Sequence, residues 1–253
     1  MDNLSIGYPT KKQRNPVASE INFSLASGEL AAVVGVNGVG KSTLLRTLGK
    51  VQPKLGGVIH LDNTSLESYT SMELASKVSV VLTEPIASKN LTILELVALG
   101  RQPYTNWLGT LSKRDVSKIK EAIEILELGD LQHKKCHELS DGQLQRVMIA
   151  RALTQDTSLI LLDEPTTHLD LYHKVHILKL LKSIANETKK TILFTTHEID
   201  MAIQLCHKML ILDGIKNPFG TPRSLIEKQS FENLFPSDTL IFDSKIGAFK
   251  VNK

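Results

Sequence analysis

The sequence predicts an α/β fold whose central strands run mostly parallel. Three runs, "LAAVV" (30–34), "LILLD" (159–163) and "TILFTTH" (191–197), are continuously apolar, as strands covered on both faces must be. Helix-patterned stretches separate them, and alternating strand and helix signals belong to parallel sheets. Two further segments alternate instead. "EINFSL" (20–25) puts Ile21, Phe23 and Leu25 on one side, and "GGVIHLD" (56–62) does the same with Ile59 and Leu61. That period of two marks half-buried strands and predicts a small antiparallel layer near the N-terminus. Residues 92–135 are helix-like with charged faces, as in "SKRDVSKIKEAIEILEL" (112–128), and read as a helical insertion between two parts of the core. The residues after about 222 read as a helix-and-strand extension.

Composition narrows the function classes. The 253 residues are 42% apolar, enough for a large core and against global disorder. A net charge of +3 is too small to argue for nucleic acid. The basic cluster "KKQR", Lys11 to Arg14, runs into Asn15-Pro16 and reads as a solvated turn. Two cysteines, Cys136 and Cys206, stand far apart outside any CxxC pattern, which suits a reducing cytosol. The start "MDNLSIGYPT" lacks the apolar core of a signal peptide. No window approaches 18 apolar residues, so service to a membrane is expected to run through a partner.

The first chemical motif is "GVNGVGKST", Gly35 to Thr43, which fits G-x-x-x-x-G-K-[ST] between a buried strand and a helical stretch. Gly35, Gly38 and Gly40 let the backbone curl so that its N–H groups, with that of Asn37, face an anion. The helix start adds its dipole. Lys41 can reach β- and γ-phosphates, and Ser42, beside Thr43, can ligate Mg²⁺. "LILLDEP" supplies matching acids: Asp163 at a strand end to organise Mg²⁺, and Glu164 to orient or deprotonate an attacking water. His197 ends another core strand and, taken alone, reads as a structural histidine. His173 and His176 form an H-x-x-H pair on a helix, but with no third ligand they read as surface residues.

The second motif is "LSDGQLQR" (139–146). Ser140 and Gln143 have the S-x-x-Q form of a capping box, and Leu144, Val147, Met148 and Ala152 follow at helical spacing. A plain capped helix does not explain Gly142 in the first turn, where glycine costs roughly 1 kcal/mol against alanine. Glycine there permits close approach of a ligand or another backbone.

"LSDGQ" resembles the LSGGQ signature of ATP-binding cassette (ABC) ATPases, and the order phosphate loop, signature, Asp-Glu strand, histidine matches too. The resemblance covers residues 3–222. It implies a P-loop NTPase (RecA-like) core with an N-terminal antiparallel β layer and an inserted helical subdomain. The whole chain, 1–253, would be one ABC ATPase domain: core from about 1–88 and 156–222, helical signature subdomain from about 89–155, and a C-terminal extension from about 223–253. It further implies that Tyr8 in "IGYP" stacks on adenine, that Glu164 is the catalytic base and that His197 senses the γ-phosphate, reversing its structural reading. Ser140, Asp141, Gly142 and Gln143 would cap the ATP of a second copy in a head-to-tail dimer, with Asp170 in "THLD" crossing the interface.

Two positions depart from the family pattern. Asp141 replaces the first Gly of LSGGQ, a variant similar to that of importers of iron chelates, haem and vitamin B12. After the strand "VSVVL" the family has a Gln that contacts Mg²⁺ and signals to the membrane subunit; here the residue is Glu84. Glu84 is expected to keep the coupling role with altered metal affinity, its charge lying beside Asp163 and Glu164.

Three kinds of ABC protein compete. DNA-maintenance relatives carry a long coiled coil between phosphate loop and signature, and ribosome-acting relatives carry two cassettes; this sequence shows neither feature, and a soluble non-transport ABC ATPase acting on a macromolecule stays as an alternative. Exporters that fuse the membrane part are set aside, while two-component exporters stay open. "LVALGRQPYTNWLG" (96–109) resembles the LGR-x-P segment of siderophore, haem and cobalamin importer ATPases, near the groove where the membrane subunit docks. Its Trp107, the only Trp, is either a docking aromatic or a packing residue. The expectation is thus an importer ATPase, peripheral on the cytoplasmic face of a bacterial membrane. It would work with polytopic permease subunits and a substrate-binding protein, without direct cargo contact, an iron chelate being the favoured cargo.

Overall fold

A six-stranded sheet organises the molecule, its strands 219–220, 208–211, 30–34, 191–195, 159–162 and 78–81 lying side by side in that order. The computed structural model describes residues 1–9, 14–84, 89–232, 234–236 and 238–252. The "KKQR" turn lies outside them apart from the backbone of Arg14. The chain opens with β1 (Asp2–Pro9) and β2 (Arg14–Ile21), continues through β3 (Leu30–Val34) and α1 (Lys41–Leu48), and then makes β4 (Gly56–Val58), β5 (His60–Leu61), β6 (Thr64–Ser65), α2 (Ser71–Ala75) and β7 (Val78–Val81). Between β7 and β8 lie α3 (Ile93–Ala98), α4 (Lys113–Ile125) and α5 (Asp141–Thr154). Then follow β8 (Leu159–Leu162), α6 (Leu171–Thr188), β9 (Thr191–Thr195), α7 (Ile199–Leu205), β10 (Lys208–Ile211), β11 (Phe219–Gly220), α8 (Pro222–Glu227) and the hairpin β12 (Leu240–Asp243) with β13 (Ala248–Val251).

The apolar runs are continuous because each strand feeds two cores. In β3, Leu30, Ala32 and Val34 join the cluster that holds α5 and α6, while Ala31 and Val33 join Leu44, Leu45 and Leu48 of α1. Ile160 and Leu162 of β8 divide from Leu161 in the same way, as do Ile192 and Phe194 of β9 from Leu193. Successive side chains point to opposite faces, so a strand covered on both sides has no polar positions to spare. All pairings from β10 to β7 are parallel. The C-terminal ends of β3, β7, β8 and β9 therefore open on one edge of the sheet.

The antiparallel layer is present: β1 pairs antiparallel with β2 and with β4. Its boundary differs from the sequence expectation. "EINFSL" keeps the predicted alternation, with Ile21 and Phe23 buried and Asn22 and Ser24 exposed, but the ladder stops at Ile21. Past that point Phe23 still bonds to the start of the neighbouring strand, its amide donating to the Met1 carbonyl at 3.4 Å and its carbonyl accepting from the Met1 ammonium at 2.9 Å. In the helical section, α3, α4 and α5 pack on one another. Each starts with a reciprocal capping box, Thr92/Glu95, Ser112/Asp115 and Ser140/Gln143.

The segment "LGRQPY" (99–104) clamps that bundle. A side chain at Gly100 would put its Cβ 2.3 Å from the Arg151 carbonyl oxygen, so only glycine lets this turn lie against α5. Arg101 is buried; its Nε donates to Asp115 Oδ1 at 2.8 Å and its Nη1 to the Thr154 carbonyl at 2.8 Å. Tyr104 stacks on that guanidinium, 3.9 Å from ring centroid to Cζ, and donates to the Gln155 carbonyl at 2.9 Å. Beyond the clamp, Trp107 is 91% exposed, which removes its packing reading. At the C-terminus, Phe231, Phe242 and Phe249 form an aromatic group under the hairpin, which packs on α7.

Candidate functional site

The loop from Gly35 to Gly40 joins β3 to α1. Gly40 occupies the N-cap of α1 at φ 110°, without a side-chain cap bond. That left-handed conformation suits glycine, and it leaves the first N–H groups of the helix uncovered. Asn37 and Gly38 are exposed on the loop. Lys41 is buried at the helix start and donates to the carbonyls of Gly35 at 3.0 Å and Val36 at 3.2 Å. Burial pushes its ammonium pKa below the ordinary lysine value, while the charges of Glu164 and Asp163 pull the other way. Thr43 Oγ1 lies 3.3 Å from the hydroxyl of Tyr8, whose ring is half-exposed at the end of β1.

β8 delivers the acids. Asp163 is buried; its Oδ1 accepts from Ser42 Oγ at 3.0 Å and from Thr195 Oγ1 at 2.7 Å, and Thr83 Oγ1 stands 3.5 Å from Oδ2. Glu164 turns the chain sharply, with φ 48°, a conformation that costs roughly 1–2 kcal/mol for a residue with a Cβ. Its amide donates to Thr195 Oγ1 at 2.8 Å, so one threonine holds both acids. The Glu164 carboxylate receives His197 Nε2 at 2.7 Å on Oε1 and Thr167 Oγ1 at 3.0 Å on Oε2. Lys41, Ser42, Asp163, Glu164 and His197, far apart in sequence, thus meet at the C-terminal edge of the sheet.

Among the described residues no group of three or more His, Cys, Asp or Glu is placed to hold a metal. Ser42 and Asp163 do form a hard-oxygen pair 3.0 Å apart. Such a pair fits Mg²⁺ that takes its remaining ligands from phosphate and water.

Glu84 follows Thr83 on the loop after β7. Its carboxylate accepts from Arg46 Nη2 of α1 at 2.7 Å, and Thr83 is the residue of this loop that reaches Asp163.

The signature lies at the start of α5. Ser140 Oγ accepts from the Gln143 amide at 3.3 Å, and Gln143 Oε1 accepts from the Ser140 amide at 3.1 Å. A Cβ on Gly142 would meet only His173 and Leu169 at ordinary contact distances of 3.5 and 3.6 Å. Packing within the chain therefore does not require glycine here, and the first turn of α5 faces outward beside exposed Asp141. Asp170 caps α6: its Oδ1 accepts from the His173 amide at 2.9 Å, and His173 Nδ1 lies 2.8 Å from the carboxylate. These bonds hold the Asp170 carboxyl below its ordinary pKa, the amide bond first. His176 faces Glu127.

Sequence reasoning missed Thr195, Thr83, Thr167, Arg46 and Arg101. Of these, Thr195, in "FTTH", carried a signal as a polar residue closing an apolar strand, and Arg101 stood in the LGR-x-P segment without its partners being legible.

The family described as ABC transporter matches residues 18–167. The iron(3+)-hydroxamate import ATP-binding protein FhuC of Bacillus subtilis (strain 168) is 33% identical over 95% of this chain and 88% of its own. Among solved structures, an inward-facing transporter described as of metal-chelate type superposes with a TM-score of 0.79 at 30% identity, over 92% of this chain and 87% of that one. The dimeric ATP-binding cassette MJ0796 with ADP and Pi gives 0.74 at 29% identity, over 87% and 97%. The chain belongs to the ABC transporter ATP-binding family and is an ATPase of the P-loop NTPase fold.

Proposed function

We propose that the chain is the ATP-hydrolysing subunit of an importer that carries an iron chelate, with haem and cobalamin as related cargoes, through separate permease subunits fed by a substrate-binding protein. The observation that carries the transport reading is the exposed apolar tip beyond the LGRQPY clamp, where Trp107 is 91% and Leu108 67% exposed. Among the described residues no helix is long and apolar enough to cross a membrane, so a membrane partner must supply the path. The iron-hydroxamate relative and the metal-chelate transporter support the cargo class. The working place is the cytoplasmic face of a bacterial cell membrane.

In this reading ATP lies along the phosphate loop. Tyr8 sits against the base; Gly35, Asn37, Gly38, Gly40 and the α1 amides receive the phosphates, and Lys41 and Thr43 add contacts. Ser42 and Asp163 would hold Mg²⁺, whose charge would stabilise the phosphoryl group when bound, and Glu84, whose Oε1 accepts from Arg46, is a further candidate oxygen ligand. A water oxygen bonds to the γ-phosphorus as the bond to the ADP oxygen breaks, and Glu164 accepts the water's proton. His197 fixes Glu164 Oε1 and can pass a hydrogen bond to the γ-phosphate. Preorganised position and charge do the work, as expected for phosphoryl transfer. Ser140 through Gln143 close over the ATP of a second copy, whose contact includes Asp170; the dimeric cassette with ADP and Pi supports that arrangement.

The test is a pull-down. Tagged Glu164→Gln should turn over ATP roughly 10²–10⁴-fold more slowly and persist as an ATP-bound dimer. Recovered from gently solubilised membranes with ATP, it should bring a polytopic permease identifiable by mass spectrometry. Ribosomal proteins, or no membrane partner, would overturn the transport reading; normal turnover would remove Glu164 from its role.

A further inference from the structure

Both oxygens of the Glu164 carboxylate are held, Oε1 by His197 and Oε2 by Thr167. These two partners stand on different loops, and the loops are joined again away from Glu164. Thr167 belongs to the turn that ends at Asp170, the N-cap of α6. One turn into α6, Lys174, whose amide donates to the Asp170 carbonyl at 2.9 Å, extends its ammonium to the carboxylate of Glu198. Glu198 follows His197 directly and occupies the N-cap of α7, yet its side chain makes no cap bond there. It is turned to α6 instead. Glu164, His197, Glu198, Lys174, Asp170 and Thr167 therefore form a closed ring of covalent and polar links.

We infer that Lys174 is a positioning residue for ATP hydrolysis: by holding Glu198 it fixes the His197 loop relative to α6 and so sets the aim of the Glu164 carboxylate. The inference rests on Glu164 being the base, as proposed above. The pair is part-exposed, its side chains 23% and 31% accessible, so its contribution to global stability is small. Its removal should therefore separate catalysis from folding.

The experiment compares steady-state ATPase kinetics and thermal melting of the full chain for Lys174→Met, Lys174→Arg, Glu198→Gln and the double variant Lys174→Met/Glu198→Gln, with Glu164→Gln alongside. Lys174→Met should lower kcat roughly 10- to 100-fold, the scale for slight misplacement of a reacting group. KM for ATP should stay within about twofold, and melting should not change. Glu198→Gln should match it, the double variant should be no worse than either single one, and Lys174→Arg should restore most of the rate. Wild-type kcat in Lys174→Met, or a loss that Lys174→Arg does not rescue, would overturn the inference. Should Lys174→Met fail to fold, the near-isosteric Glu198→Gln tests the same link: a matching loss of kcat supports it and a wild-type kcat overturns it. Slow Glu164→Gln beside normal Lys174→Met sinks the ring alone; normal Glu164→Gln sinks the base assignment beneath it.

Discussion

Replacing Arg101 by Met would remove the central donor of the clamp that joins α4 to α5. Arg101 and Asp115 side chains are 3% and 4% exposed, so this is a buried pair. Breaking such a pair from one side costs about 3–5 kcal/mol, because the partner charge stays behind without its counter-ion. Here Asp115 Oδ2 still accepts from the Ser112 amide at 2.8 Å and the Ser112 hydroxyl at 2.6 Å, which places the cost near the lower end, about 3 kcal/mol. The Thr154 carbonyl also loses its donor. At ~2–4 °C per kcal/mol for a chain of this size, melting should fall by about 6–12 °C. Far-UV circular dichroism is the appropriate readout, since Trp107 is exposed and its fluorescence would report little of the core. The acid limb offers a second check. The Ser112 hydroxyl holds the Asp115 carboxyl below its ordinary pKa of 3.8, against burial, and Arg101 adds to the lowering. A carboxylate with a depressed folded pKa stabilises fully above its unfolded value and loses that contribution as pH falls through the folded one. The Asp115 contribution is therefore lost only below about pH 4, and the loss should be shallower in Arg101→Met. A melting shift under about 2 °C would refute the buried-pair reasoning.

Two further variants test the site. Ser140→Arg should abolish hydrolysis while the monomer still binds a fluorescent ATP analogue, with a stability loss of about 1 kcal/mol from the missing cap; lost monomer binding would mean that the signature acts on its own chain's nucleotide. Glu84→Gln should change stability by no more than about 1 kcal/mol, as befits an exposed ion pair, yet shift the Mg²⁺ concentration for half-maximal ATPase. An unchanged rate and Mg²⁺ dependence would count against a coupling role for Glu84.

The features that sequence alone determined are those written within one turn or one strand. The continuous apolar runs announced doubly covered strands because a strand alternates its faces over two residues. The glycines before Lys41 and the S-x-x-Q of the signature announced two helix starts because caps are local hydrogen-bond problems, solved within three residues. The Asp-Glu pair could be placed at a strand end for the same reason. Tertiary structure alone decided the partners. Nothing near Glu84 foretold Arg46, 38 positions earlier; nothing in "LGRQPY" named Thr154 as the carbonyl that Arg101 would cap; and the alternation through Phe23 could not show that the regular strand ends at Ile21 while Phe23 still bonds to Met1. Trp107 read equally well as core or surface until the clamp behind it was seen to leave its loop outside. Local patterns fix which elements form, since backbone geometry and burial are felt residue by residue. Which charges meet depends on where the sheet brings distant loops together, and that distance is absent from the order of the residues.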